Sequence, residues 1–134
     1  MLRLVDPYAE GKWYKFLVRG EEIQVQVRPS TNEVYEKIRV KYKRVVKERD
    51  PNTRAMVTRY EYDDESINKE LIDHVLQDFK GFGDAAGKLL EVNLQTKLAV
   101  MNLPSVGNEQ SIADFVFEQA RELAAEKGDA ITKN

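Results

Sequence analysis

Ile67, Leu71, Val75 and Phe79 recur every four residues, and Ile72 and Leu76 widen them into an apolar stripe suited to packing on a core. Asp63, Asp64, Glu65 and Ser66 stand ahead of the stripe, where short polar side chains accept the unpaired N–H groups of a first turn and carboxylates complement the helix dipole. Lys80 and Gly81 close it, because glycine takes the left-handed conformation that a Cβ disfavours. The pattern predicts a helix over 63–80, around which the rest of the chain is organised.

Upstream the period is two. Lys12–Val18 is aromatic and β-branched, Arg19 and Gly20 punctuate it, and Glu21–Val27 alternates, with Ile23, Val25 and Val27 inward and Glu22, Gln24 and Gln26 outward. Two such runs about a glycine predict a β-hairpin with one wet face, ended by Pro29. Ser30-Thr31-Asn32-Glu33 fits a capping box, S-x-x-E, and Val34, Ile38, Tyr42 and Val45 follow at helical spacing. Ile38, Val40 and Tyr42 also alternate, so a strand competes; the capping box favours a helix over 31–44. Val45-Val46, the Asp50-Pro51-Asn52-Thr53 turn and Met56–Tyr62 then read as a second hairpin, with a helix running on to Glu48 as the alternative.

Downstream, residues 81–87 form a turn, 94–103 a short helix ended by Pro104, and 110–127 a last helix with Gly128 as its stop. Ile112, Phe115, Val116, Phe117, Ala120, Leu123 and Ala124 make its stripe broad. Phe115, Val116 and Phe117 are contiguous and cannot all face one core, which makes them candidate interface residues. The expectation is an α+β fold, with N-terminal β-hairpins followed by a C-terminal bundle of about three helices. A single domain spans 1–134, with flexible tails at 1–10 and 129–134.

Composition narrows the chemistry. The absence of cysteine excludes disulfides, zinc–thiolate sites and a thiol nucleophile. The longest apolar runs are too short to span a membrane, and the N-terminus does not open a signal peptide. Residues 1–62 carry a net +5 and residues 63–134 a net −7. Eight basic residues lie between Lys37 and Arg54 against Glu48 and Asp50. Such a block is a nucleic-acid footprint, a solvated face, or a patch that meets an acidic surface on another copy, with Lys41, Lys43 and Arg44 as candidate contacts. The last two readings are favoured over nucleic acid. Trp13, Tyr14 and Phe16 have the composition of a base-stacking platform, but packing is the commoner fate of aromatics in an opening hairpin.

No catalytic constellation emerges. His74 is the one histidine and sits at the rim of the organising stripe, with no second histidine to share a metal. Asp73 and Asp78 flank it without a nucleophile nearby. Asp63-Asp64 is a good helix cap and lacks the alternating oxygen ligands of a calcium loop. Gly81, Gly83 and Gly87 suggest a phosphate loop, but the spacing is one residue too long, and the run follows a helix where dinucleotide binding requires a strand. No cofactor or metal is expected.

Four short motifs follow one another: Val27-Arg28-Pro29, then Asp78-Phe79-Lys80-Gly81-Phe82, then Asp84-Ala85-Ala86-Gly87-Lys88-Leu89-Leu90, then Ile112-Ala113-Asp114-Phe115-Val116. In that order the chain, over about 12–127, resembles the tail assembly chaperones of long-tailed bacteriophages, small proteins encoded just ahead of the tape measure protein. Phe79 stands where tryptophan is frequent in that family. The resemblance implies a non-enzymatic protein of the host cytoplasm that coats the helical tape measure protein, keeps it soluble and helps recruit tail tube subunits; the alternatives are a small nucleic-acid-binding domain using residues 37–54 and another minor phage structural protein. Opposite charges in the two halves suggest self-association into open, head-to-tail oligomers. Thr132-Lys133-Asn134 is compatible with a slippery heptamer, A-AAA-AAC, from which relatives of this kind make a longer frameshifted product.

Overall fold

The computed structural model describes residues 5–132, so Lys133 and Asn134, on which the slippage expectation rests, lie outside the described residues. The fold is α+β. Its elements run β1 (Lys12–Val18), β2 (Glu21–Val27), α1 (Asn32–Lys41), β3 (Lys43–Arg49), β4 (Met56–Tyr62), α2 (Asp64–Val75), β5 (Leu76–Lys80), α3 (Leu94–Met101) and α4 (Ile112–Thr132).

The opening hairpin forms as the alternation predicts. Arg19 and Gly20, at φ +52° and +81°, make the two-residue turn whose twist matches that of the strands. Ile23, Val25 and Val27 are buried, and Tyr14, Phe16 and Val18 on β1 pack beside them. β2 is the central strand of a three-stranded antiparallel sheet in the order β1-β2-β5. The inner face of the sheet and helices α2, α3 and α4 enclose the main core, in which Val25, Val27, Val75, Leu76 and Val116 are fully buried.

Here the organising helix departs from expectation. α2 ends at Val75, and Leu76–Lys80 is a strand paired with β2, not the last turns of a helix. Asp63 caps the helix as expected, its carboxylate accepting from Ser66 N at 3.2 Å. Leu76 goes extended (φ −89°, ψ 92°) so that it can face Val27 across the sheet. Gln77 is an extra residue in the ladder between Leu76 and Asp78, and this bulge lets Leu76 and Phe79 reach the same core although they are three residues apart. Gly81, at φ +95°, ends a strand instead of a helix.

Smaller corrections follow the same logic. α1 stops at Lys41, so Arg44 belongs to β3, and the cap is Thr31, whose Oγ1 accepts from Val34 N at 3.3 Å, not Ser30. α4 continues through Gly128 to Thr132, in place of the expected stop and of a tail beginning at 129. The expected tail at 1–10 falls partly on residues outside the description, but Pro7 is buried and Tyr8 meets His74 edge-on at 5.4 Å. Gln26, expected on the wet face, is 4% exposed because residues 10 and 11 cover it. Its Nε2 donates to Gly11 O at 3.0 Å and Glu10 Oε1 at 3.3 Å.

A second, smaller cluster of Val34, Ile38 and Ile67 joins α1 to α2, with Tyr42, Tyr62 and Leu71 against it. Tyr42 and Tyr62 are also the roots of the β3–β4 hairpin. That hairpin pairs only with itself.

Candidate functional site

The β3–β4 ribbon is an arm. Above Tyr42 and Tyr62 it leaves the body of the protein, and Asp50 N to Ala55 O (2.8 Å) and Arg54 N to Asp50 O (2.7 Å) close its tip. Met56 is 62% exposed, Val45 and Tyr60 54%, and Val57 46%. An isolated two-stranded hairpin is at best marginally stable in water. Large apolar side chains left uncovered together on such an element make it the candidate binding surface.

Register gives the arm two dissimilar faces. Arg44, Val46 and Glu48 share one face with Val57, Arg59 and Glu61. Its charges cancel along a ladder: Arg44 pairs with Glu61, Arg59 with Glu61 at 2.8 Å, and Arg59 with Glu48. Arg44 first, with Arg59 assisting, holds the Glu61 carboxyl below its ordinary range. Lys43, Val45, Lys47 and Arg49 share the other face with Met56, Thr58, Tyr60 and Tyr62. No carboxylate lies on it. Lys43 sits over the Tyr60 ring at 3.9 Å from the centroid, a cation–π contact that joins charge and apolar surface in one patch.

The basic block thus divides. Lys37 pairs with Glu33 and Arg39 with Glu36 on α1, Lys41 with Glu70 on α2, and Arg44 with Glu61 on the arm. Lys43, Lys47 and Arg49 remain together on one face, making no ion pair among the described residues. Of the predicted contacts Lys41, Lys43 and Arg44, only Lys43 lies on this face. The apolar partners Val45, Met56 and Tyr60 were not singled out from sequence; the signal for them is that every charge at alternate positions 43, 47 and 49 has one sign.

Phe115, Val116 and Phe117 occupy a different place. Val116 is fully buried, Phe115 stacks on Phe16 with centroids 4.3 Å apart, and Phe117 is partly buried against the same main core. All three reach one core because Phe115 packs on Tyr14 and Phe16 of β1, and Phe117 rests against the cluster that buries Val116.

A cleft of about 350 Å³ lies between α1 and α2, lined by Tyr8, Arg28, Lys37, Lys41, Asp73 and His74 among others. His74 is half-buried, and burial first, then the Arg28 guanidinium, pushes its pKa below the ordinary value. Its Nε2 is enclosed and has no hydrogen-bond partner among the described residues. Lys37 and Lys41 on the rim face their own carboxylates, so the cleft is not a cationic cradle.

Residues 81–87 form the expected turn: Asp84 Oδ1 accepts from Ala86 N and Lys88 N, both at 2.9 Å, and Gly83 bridges Leu89. The loop's own side chain thus fills the amides that would cradle a phosphate. Among the described residues no group of three or more His, Asp or Glu is arranged to hold a metal ion, and no helix is long and apolar enough to cross a membrane. No family model matches the chain, and no curated protein or solved structure matches it.

Proposed function

We propose that the protein is a phage or prophage tail assembly chaperone, a non-enzymatic binding protein of the host cytoplasm that covers the helical tape measure protein and assists tail tube assembly. The identity of the partner comes from the order of motifs between Val27 and Val116. The observation that carries the binding reading is the arm, with Val45, Met56, Val57 and Tyr60 uncovered by the chain itself. A tape measure protein with apolar helical stripes needs a partner that shields them during synthesis, and a projecting amphipathic ribbon supplies such a surface. Ion pairs of Lys37, Arg39, Lys41, Arg44 and Arg59 reduce the basic block to the patch of Lys43, Lys47 and Arg49, a narrow footprint for a nucleic acid, whose binding rests on many phosphate contacts.

Co-expression with the long helical protein encoded nearby tests this. The chaperone reading expects that protein to shift from the pellet to the soluble fraction and to co-purify with the chain. It also expects the gain to vanish when residues 44–61 are replaced by a short turn. An insoluble tape measure protein despite a folded, abundant chain would overturn it.

A further inference from the structure

The cationic face of the arm has a complement elsewhere in the same molecule. α4 turns Ile112, Val116, Ala120 and Leu123 into the core, which leaves Asp114, Glu118 and Glu122 on its outward side at four-residue intervals. None of the three makes an ion pair among the described residues. Arg121 shares that side, so the outward face carries a net −2 over these positions. Successive acids stand about 6 Å apart along a helix rising 1.5 Å per residue, and Lys47 and Arg49 about 7 Å apart along their strand, so these two cations can face two of the carboxylates at once, while Lys43, about 13 Å from Lys47, lies beyond them.

Among the described residues no ion pair joins these two surfaces within one chain. The arm roots on α1 and α2 through Tyr42 and Tyr62, while α4 packs on β2, α2 and α3. We infer that the face of the arm bearing Lys43, Lys47, Arg49, Val45 and Tyr60 docks on the outward face of α4 in a second copy of the chain. The charges set register and orientation, and the apolar lane of Val45, Met56 and Tyr60 supplies burial. Because the two surfaces differ, each copy offers one of each and the contact can repeat. The inference is independent of what else the protein binds.

The experiment is sedimentation velocity on the full chain over a concentration series, at low salt and at about 0.5 M salt, where the Debye length is under 5 Å. The wild type is expected to form species larger than the monomer at low salt and to disperse at high salt. The pair Lys47→Glu/Arg49→Glu and the pair Glu118→Lys/Glu122→Lys are each expected to be monomeric, with circular dichroism unchanged. Mixing the two variants restores association, because the unaltered arm of the helix variant meets the unaltered α4 of the arm variant, and the reversed arm meets the reversed helix. A monomeric wild type at low salt overturns the inference, as does failure of the mixture to associate. Loss of association in the arm variant alone would place another surface opposite the arm. Nucleic acid co-purifying with the wild type but not with the arm variant, without self-association, would assign the face to nucleic acid instead. A monomeric wild type that still solubilises the tape measure protein removes this contact and leaves the chaperone reading standing.

Discussion

Phe115 lies flat on Phe16, ring centroids 4.3 Å apart and planes 8° from parallel, while Tyr14 meets Phe115 edge-on at 6.1 Å. The last helix is thereby fastened to the first strand, which closes the core from the two ends of the chain. Phe115→Ala should destabilise the fold by about 2–4 kcal/mol, through lost burial and lost ring contacts. Phe117→Ser should act in the same direction, since Phe117 rests against the same core and the hydroxyl gains no partner there. Urea unfolding followed by circular dichroism measures both. An unchanged midpoint together with lost association would return these residues to an interface.

Why the hairpins were legible and the organising helix only partly so has a local cause. Glu21–Val27 declares its strand by alternation, and Gly20 and Pro51 mark turns between residues that pair with near neighbours. At Val75 the chain passes from helix to strand with no glycine or proline to announce it. The bulge at Gln77 then keeps Ile72, Val75, Leu76 and Phe79 at intervals of three and four, so a strand wears the spacing of a helix. What ends α2 is pairing of Leu76 with Val27, a partner 49 positions away that no window on the sequence contains. The candidate surface was hidden for a related reason. Composition shows that residues 37–54 are basic, but which cations are cancelled depends on the register that sets Arg44 opposite Glu61 and Glu48 near Arg59.

Among the described residues Lys97 is the charged one that the fold buries, at 11% side-chain exposure, and its ammonium donates to both Oδ1 and the backbone carbonyl of Asp73, each at 3.0 Å. The contact ties α3 to α2. Asp73→Ala leaves that ammonium with only the carbonyl, and a partly buried cation that loses its carboxylate should cost about 1–3 kcal/mol. Lys97→Met, which removes the charge and keeps the stem, should cost less. Equal losses in thermal or urea unfolding would show that the stem, rather than the charge, carries the contact.

His74 makes stability depend on pH. Burial first and Arg28 second lower its pKa in the folded protein, while the carbonyls of Pro7 and Pro29 and the Asp73 carboxylate oppose them more weakly. The unfolded chain therefore takes up the proton at a higher pH than the folded one, near the ordinary value of about 6.5. Stability is full above that value and falls as pH drops through it toward the folded pKa. Urea midpoints at intervals from pH 7.5 to 5.5 should decline for the wild type, and the decline over that window should flatten in His74→Gln. Identical slopes would remove His74 as the cause.

Gly11 is fixed by closeness, not by its own dihedral angles. A Cβ built there would lie 2.6 Å from the carbonyl oxygen of Val27 and 2.8 Å from its carbon, both rigid backbone atoms of the central strand. The position is held on two further sides: Gly11 N donates to Gln77 Oε1 at 2.7 Å, and Gly11 O accepts from Gln26 Nε2 at 3.0 Å. Gly11→Ala must therefore lift this segment off the sheet and break both bonds, leaving the buried Gln26 amide to find water. The cost should be about 2–3 kcal/mol, the usual penalty for overpacking joined to a lost buried hydrogen bond. Trp13, the chain's single tryptophan, is two residues away and carries Lys80 over its ring at 4.6 Å, so its fluorescence reports directly on the movement. The variant should show a shifted Trp13 emission in the native baseline as well as a lower unfolding midpoint. Gln26→Leu, which needs no partner from Gly11, should lower the midpoint less than Gly11→Ala and leave the emission nearer to wild type. A Gly11→Ala protein with wild-type emission and midpoint would mean that the segment does not lie against Val27 in solution.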